Sequence, residues 1–153
     1  MEQDMKTFYL AHNFEGRKQV RKWELRIEGK YRINLDNPFY DNQERAKDMQ
    51  VIDSFKDGNK EQKEFMATRN VSDIVEDDLD KIRKSDGIIA FAEVTRIGTP
   101  MEIFFGGRIL RIPVYVITKK YSKHPWIVQH ATKIFSSRKE FERFVEKEMG
   151  RKK

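Results

Sequence analysis

No cysteine occurs among the 153 residues, which excludes a disulfide scaffold, a thiolate-ligated zinc site and thiol catalysis. No apolar run approaches the ~20 residues that span a bilayer. The opening Met1-Glu2-Gln3-Asp4-Met5-Lys6 lacks the basic-then-apolar layout of a secretory leader. A cytoplasmic location without a membrane partner is therefore expected. There is no P-loop, no Gly-x-Gly-x-x-Gly and no Gly-x-Ser-x-Gly, so triphosphatase, dinucleotide-dehydrogenase and hydrolase-elbow readings lose their main support. Histidine is scarce as well. His124 and His130 are poorly spaced for one helix face, Pro125 lies between them, and His12 is remote. No metal and no cofactor is expected.

What is present is charge and aromatic surface. Charged residues make up 37% and aromatics 12%, which supplies a core and excludes a disordered chain. The length suits one domain over residues 1–153, with a basic tail at 150–153 expected to be mobile. The net charge is +6. Its plainest clusters, Arg17-Lys18, Arg21-Lys22 and Arg151-Lys152-Lys153, read mostly as solvated helix faces, so a nucleic-acid partner is not expected.

Thr7–Ala11 reads as a short buried strand, followed by a helix over about Phe14–Glu28 that Gly29 stops. Tyr31–Leu35 reads as a second strand and Asp36–Asp41 as a loop. Residues 42–68 read as two modest helices around Asp57-Gly58-Asn59. Ser72 caps a helix to about Lys84, with Ile74, Val75, Leu79 and Ile82 on one face. Gly87–Ala92 is a continuous apolar run, as in a strand covered on both sides of a parallel sheet. A helix from about Thr99 to Ile109, a strand Ile112–Ile117, a short strand Thr132–Phe135 and an amphipathic helix Ser137–Met149 complete the chain. This alternation predicts an open α/β parallel sheet with helices on both faces. Such sheets bind ligands beyond the carboxyl ends of their strands, where strand order reverses.

Two groups of residues could carry chemistry. In Thr99-Pro100-Met101-Glu102, Thr99 as N-cap and Glu102 three residues on make a capping box. The same geometry serves catalysis: a carboxylate in a first helical turn stays ionised near the positive helix end and can attack an electrophilic carbon. The two readings are compatible. Glu76-Asp77-Asp78-Leu79-Asp80 crowds carboxylates into a helix start. The plain reading is a solvated helix terminus; the functional one is a carboxyl that keeps a proton and serves as an acid. Gly106-Gly107 reads as close packing.

Four segments in order resemble the nucleoside 2-deoxyribosyltransferase family, including its relatives that hydrolyse nucleoside 5′-monophosphates. They are Phe8-Tyr9-Leu10-Ala11; Asp78-Leu79 through Asp86-Gly87-Ile88-Ile89; Ala92-Glu93-Val94-Thr95 with Gly98-Thr99-Pro100-Met101-Glu102; and Arg111-Ile112-Pro113-Val114, where the family usually has a Gly-Lys-Pro-Val-like strand entry. Residues 40–70 match nothing in it. The resemblance implies a flavodoxin-like, doubly wound, mostly parallel five-stranded sheet and homo-oligomers whose neighbours help close each site. It also implies Glu102 as nucleophile, Tyr9 orienting it, and Asp78 contacting and helping to protonate the base. Asn13, Phe14, Phe39, Tyr40 and Gly98 are candidates for the substrate pocket, with ordinary loop and core packing as the equal alternative for the aromatics.

Arg96 stands where the deoxyribosyltransferases place an Asp and the nucleotide hydrolases often a Ser. It either binds a 5′-phosphate as a bidentate donor or points to solvent. The expected activity is cleavage of an N-glycosidic bond, by transfer to a second base or by hydrolysis, through a glycosyl-enzyme as in retaining glycosidases. The alternatives are a nucleotide-binding module with a dead site and, behind it, a basic nucleic-acid-binding protein.

Overall fold

Strand residues alternate between two faces, and here both faces are apolar. In β1 (Thr7–Ala11) Phe8 and Leu10 face one way while Tyr9 and Ala11 face the other, all four at most 2% exposed. Strands β3 (Gly87–Phe91) and β4 (Val114–Ile117) are built alike. Such strands need helices on both sides. In the computed structural model, which describes residues 5–41, 43–56, 58–67, 71–94 and 96–153, they have them. The sheet is parallel throughout, in the order β2-β1-β3-β4-β5, with β2 (Asn34–Asp36) and β5 (Lys133–Phe135) at its edges. This is the five-stranded flavodoxin-like arrangement expected.

Seven α-helices occur among the described residues: α1 (Arg17–Lys30), α2 (Gln43–Ser54), α3 (Lys60–Ala67), α4 (Val71–Lys84), α5 (Gly98–Phe104), α6 (Pro125–His130) and α7 (Arg138–Met149). One core layer joins α1 and α7 to the sheet through Val20, Trp23, Ile27, Phe141 and Val145. The other joins α4, α5 and α6 through Ile82, Ile103 and Ile127, against Tyr9, Ile88, Ala90 and Val116. No helix is long and apolar enough to cross a membrane among the described residues.

Several boundaries differ from the sequence reading. Gly29 does not stop α1, which runs on to Lys30, where the Tyr31 N–H bonds the Ile27 carbonyl. Tyr31 precedes β2 and instead forms an antiparallel bridge with Arg151. Ser72 lies inside α4 rather than before it, and its side chain falls outside the described residues. Val75 is exposed although it lies two turns before the buried Ile82 on the same face of α4. Past Phe104 the helix widens into a π-helical turn, Phe105–Leu110, and ends at Arg111 in the left-handed region, φ 56°. The two glycines of that turn are packing residues, as expected. A Cβ on Gly106 would collide with Ile88, and one on Gly107 would lie 2.5 Å from the His130 carbonyl oxygen.

Candidate functional site

Between β1 and β3 the chain connections part to opposite sides, leaving a crevice beyond the strand ends. The period-two alternation of β1 sends Tyr9 to the layer where α5 packs. There the buried Tyr9 hydroxyl donates a hydrogen bond to Oε2 of the half-buried Glu102, 93 residues further on. A hydroxyl aimed at a carboxylate oxygen gives that carboxylate a fixed direction.

The capping box does not form. Helix α5 begins at Gly98, its cap position is Ile97 with no side-chain cap bond, and no acid lies in its first turn. Thr99 is inside the helix and 2% exposed. Glu102 thus meets the Tyr9 hydroxyl across the fold, while the helix start, one residue before Thr99, leaves no capping position for that threonine.

Asp78 is half-buried on α4, one turn before the fully buried Ile82 and so on the sheet-facing side. Lys81 of the same helix bonds Asp36 at the end of β2, 2.8 Å away. Asn13 follows β1, and its amide donates to the Val94 carbonyl after β3, tying the two strand ends together. Its Oδ1 is buried and meets no donor among the described residues. Phe14 and Phe39 pack ring against ring, 5.9 Å between centroids. The Arg21 guanidinium lies over Tyr40 at 5.1 Å. Arg96 is 63% exposed, with Glu15 at 3.9 Å. Gly98 is exposed, and a Cβ there would meet open space. Thr95, beside them, lies outside the described residues.

A crevice of about 610 Å³ opens over the ends of β1 and β3, walled by His12, Asn13, Lys18, Val94, Arg96 and Arg138 among others. It takes in Asn13 and Arg96 but not Tyr9, Asp78 or Glu102. The structure therefore sets Tyr9 of β1 against Glu102 of α5, joins Asn13 to Val94 and packs Phe14 against Phe39, while of the expected residues Asn13 and Arg96 line the crevice.

Sequence reading missed a polar core beneath these residues. Arg17 belongs to no solvated face: it is 1% exposed, bonds the Phe14 carbonyl at 2.9 Å and pairs with Asp53 of α2. Glu24 is fully buried, and burial pushes its carboxyl up to about 7. His12 is also buried, and burial lowers its imidazole to about 4. Asn37, fully buried, lies between them. The only sequence trace of this core is a run of polar residues at positions that the α1 pattern shares with Val20, Trp23 and Ile27. Among the described residues no group of acidic and histidine side chains is arranged to hold a metal.

No family model and no curated protein matches the chain. Among solved structures, a 2-deoxyribosyltransferase from Bacillus psychrosaccharolyticus is similar at a TM-score of 0.56. The alignment covers 89% of this chain and 90% of that one, with 18% identity. Along nearly its whole length, the chain has the fold of a 2-deoxyribosyltransferase.

Proposed function

We propose that the protein cleaves the N-glycosidic bond of deoxynucleosides, nucleosides or their 5′-monophosphates through a covalent glycosyl-Glu102 intermediate. The observation that carries this reading is the Tyr9 hydroxyl bonded to Glu102. It gives one carboxylate a fixed direction beside the point where strand order reverses. The fold, shared with an enzyme described as a biocatalyst for nucleoside synthesis, supports the same substrate class. Fold alone does not carry chemistry, so the reading rests on the residues.

In this mechanism Glu102 attacks C1′ of the sugar. The C1′–N bond breaks with its electron pair going to the base, which takes a proton from Asp78. Charge on the sugar passes through an oxocarbenium-like state, as in retaining glycosidases. A second base or water then attacks C1′, gives its proton back to the Asp78 carboxylate and releases the Glu102 carboxylate; the former is transfer and the latter hydrolysis. Tyr9 orients Glu102 throughout. Asn13, with an acceptor oxygen to spare, and Phe14, Phe39 and Tyr40 line the base and sugar pocket, with Gly98 at the start of α5. Arg96 and Lys18 meet a 5′-phosphate when the substrate carries one. Neighbouring copies in a homo-oligomer complete each site.

The test is chromatographic detection of free base from a panel of deoxynucleosides and their 5′-monophosphates, with wild type beside Glu102→Ala. Release by wild type that disappears in the variant is the expected result. Equal release by both would remove Glu102 as nucleophile. Absence of release from every substrate, with ligand-induced stabilisation, would make the protein a nucleotide-binding module instead.

A further inference from the structure

The polar core behind Asn13 has a hydrogen-bond pattern that one neutral histidine cannot satisfy. Nδ1 of His12 lies 3.2 Å from the Asn13 carbonyl oxygen, and Nε2 lies 3.1 Å from Oδ1 of Asn37. Both neighbours are acceptors. The Asn13 carbonyl has no proton to give. The Asn37 amide is fixed because its Oδ1 accepts the Phe39 N–H at 3.1 Å, while its Nδ2 donates to Glu24 Oε1 at 2.8 Å. An imidazole with one proton donates to one of the two; an imidazolium donates to both. Burial of a lone charge is costly, so the imidazolium forms only in acid; one amide away stands the buried Glu24 carboxyl, with Arg21 bonded to its other oxygen at 2.5 Å.

We infer that Glu24, Asn37 and His12 form a proton-dependent brace that positions Asn13 across the mouth of the crevice. The brace holds two protons in acid, one at intermediate pH and none in base. Only the two-proton state, with an imidazolium, donates to both the Asn13 carbonyl and Asn37. Asn13 in turn reaches over to Val94 on the far strand end, so the proton count is felt where the crevice opens. Because the groups share one chain of hydrogen bonds, the steps belong to the pair. Burial places the lower one near 4, where His12 would otherwise titrate at 6.5. It places the upper one near 7, where Glu24 would otherwise titrate at 4.5.

The charged groups facing the brace are few. Arg138 of α7 opposes a charge on His12 and is itself paired with Glu93 at 2.7 Å. Around Glu24, Arg21 favours the carboxylate, while Asp41 from the loop after β2 and Glu28 from α1 oppose it. Phe39 and Phe91 close the histidine ring edge-on at 5.0 and 6.3 Å. Burial is what keeps the proton on Glu24 into the neutral range, with Asp41 and Glu28 adding to it.

The brace goes beyond the proposed activity and is read without it. The experiment is a ¹H–¹⁵N NMR titration of the labelled full-length chain between pH 3.5 and 8.5, following the His12 ring and the Asn13 and Asn37 side-chain amides. The expected result is no His12 transition at 6.5, a ring transition near 4 shared by the Asn13 amide, and an Asn37 transition near 7. The variant Glu24→Gln abolishes the upper transition and leaves the lower one. A His12 ring that titrates near 6.5 overturns the brace. So does an Asn13 amide that ignores the lower step, or an Asn37 step near 7 that survives in Glu24→Gln. Base release plays no part in these readings, so a protein that cleaves nothing can still possess the brace, and an active one can lack it.

Discussion

The two faces of the sheet are packed with different materials. On the α1 and α7 side the buried cluster holds Phe8, Trp23, Tyr31, Phe91, Phe135 and Phe141, with rings meeting at tilted and edge-on angles, as in Trp23–Phe91 at 5.1 Å and Phe135–Phe141 at 5.0 Å. On the α4, α5 and α6 side the buried members are Ala, Val and Ile apart from Tyr9. Aromatic rings fill volume and fix helices at a distance. Small side chains bring α5 close, and Gly106 and Gly107 bring its continuation closer still. One face thus provides cohesion, while the other holds a single hydroxyl within reach of a single carboxylate.

Substitutions on the two faces should therefore separate activity from stability. Glu102→Gln is expected to lower base release by about 10⁴-fold, the scale of losing a covalent nucleophile, with an unfolding midpoint close to wild type. A matching loss of stability would mean that the small-residue face is structural too. Trp23→Ala on the aromatic face is expected to cost about 3–5 kcal/mol in urea unfolding, while the molecules that remain folded keep their rate per molecule. Tyr9→Phe retains the ring volume and removes only the hydroxyl. Base release should fall roughly 10–100-fold, since about 1.5–3 kcal/mol is typical of a hydrogen bond to a charged group; unchanged kinetics would leave Glu102 oriented by something else.

The polar core on the aromatic side sharpens the comparison through pH. The Glu24 pKa is raised, so its contribution to stability is complete below 4.5 and is lost as pH rises through about 7. The His12 pKa is lowered, so stability is lost as pH falls from 6.5 through about 4. Relative to wild type, Glu24→Gln should gain about 1.4 kcal/mol per pH unit as pH rises through the upper window. His12→Gln should lose as much as pH rises through the lower one. Two flat difference plots would show that neither group titrates abnormally. The smallest effect is expected at Arg111, a non-glycine residue in the left-handed region. Arg111→Gly should stabilise by about 1 kcal/mol, measured as a raised midpoint.

The strands were legible because each is a short apolar run between polar or turn-forming residues, and the parallel sheet followed from their alternation with helices. Glu102 was legible as a candidate from its place near a helix start and from the segment that resembles the family, although the capping role given to Thr99 was wrong. Local pattern sees Thr99 and Glu102 three apart; it does not see Tyr9, 93 residues away. Gly29 misled for a similar reason. It is a poor helix residue taken alone, yet Tyr31, held by Glu142 of α7 at 3.0 Å, fixes the helix end beyond it. Arg17 read as surface because charged side chains usually are, and nothing in the sequence singled out Glu24 or Asn37 as buried. Their burial depends on partners drawn from α1, β2 and α2, which no window along the chain contains. Arg111 shows the opposite case. It stands where the resembling family has glycine, and its positive φ gives that glycine a physical reason.

The central position of the first strand also governs how the chain is made. Tyr9 pairs with Ile88 in the ladder between β1 and β3, so the ribosome must deliver nearly 80 further residues before β1 gains its second neighbour. At ~5–20 residues per second this takes about 4–16 s. Throughout that interval Phe8 and Leu10 have only β2 and α1 to cover them. Within this sheet, β1 is therefore made well before the neighbour that completes its pairing.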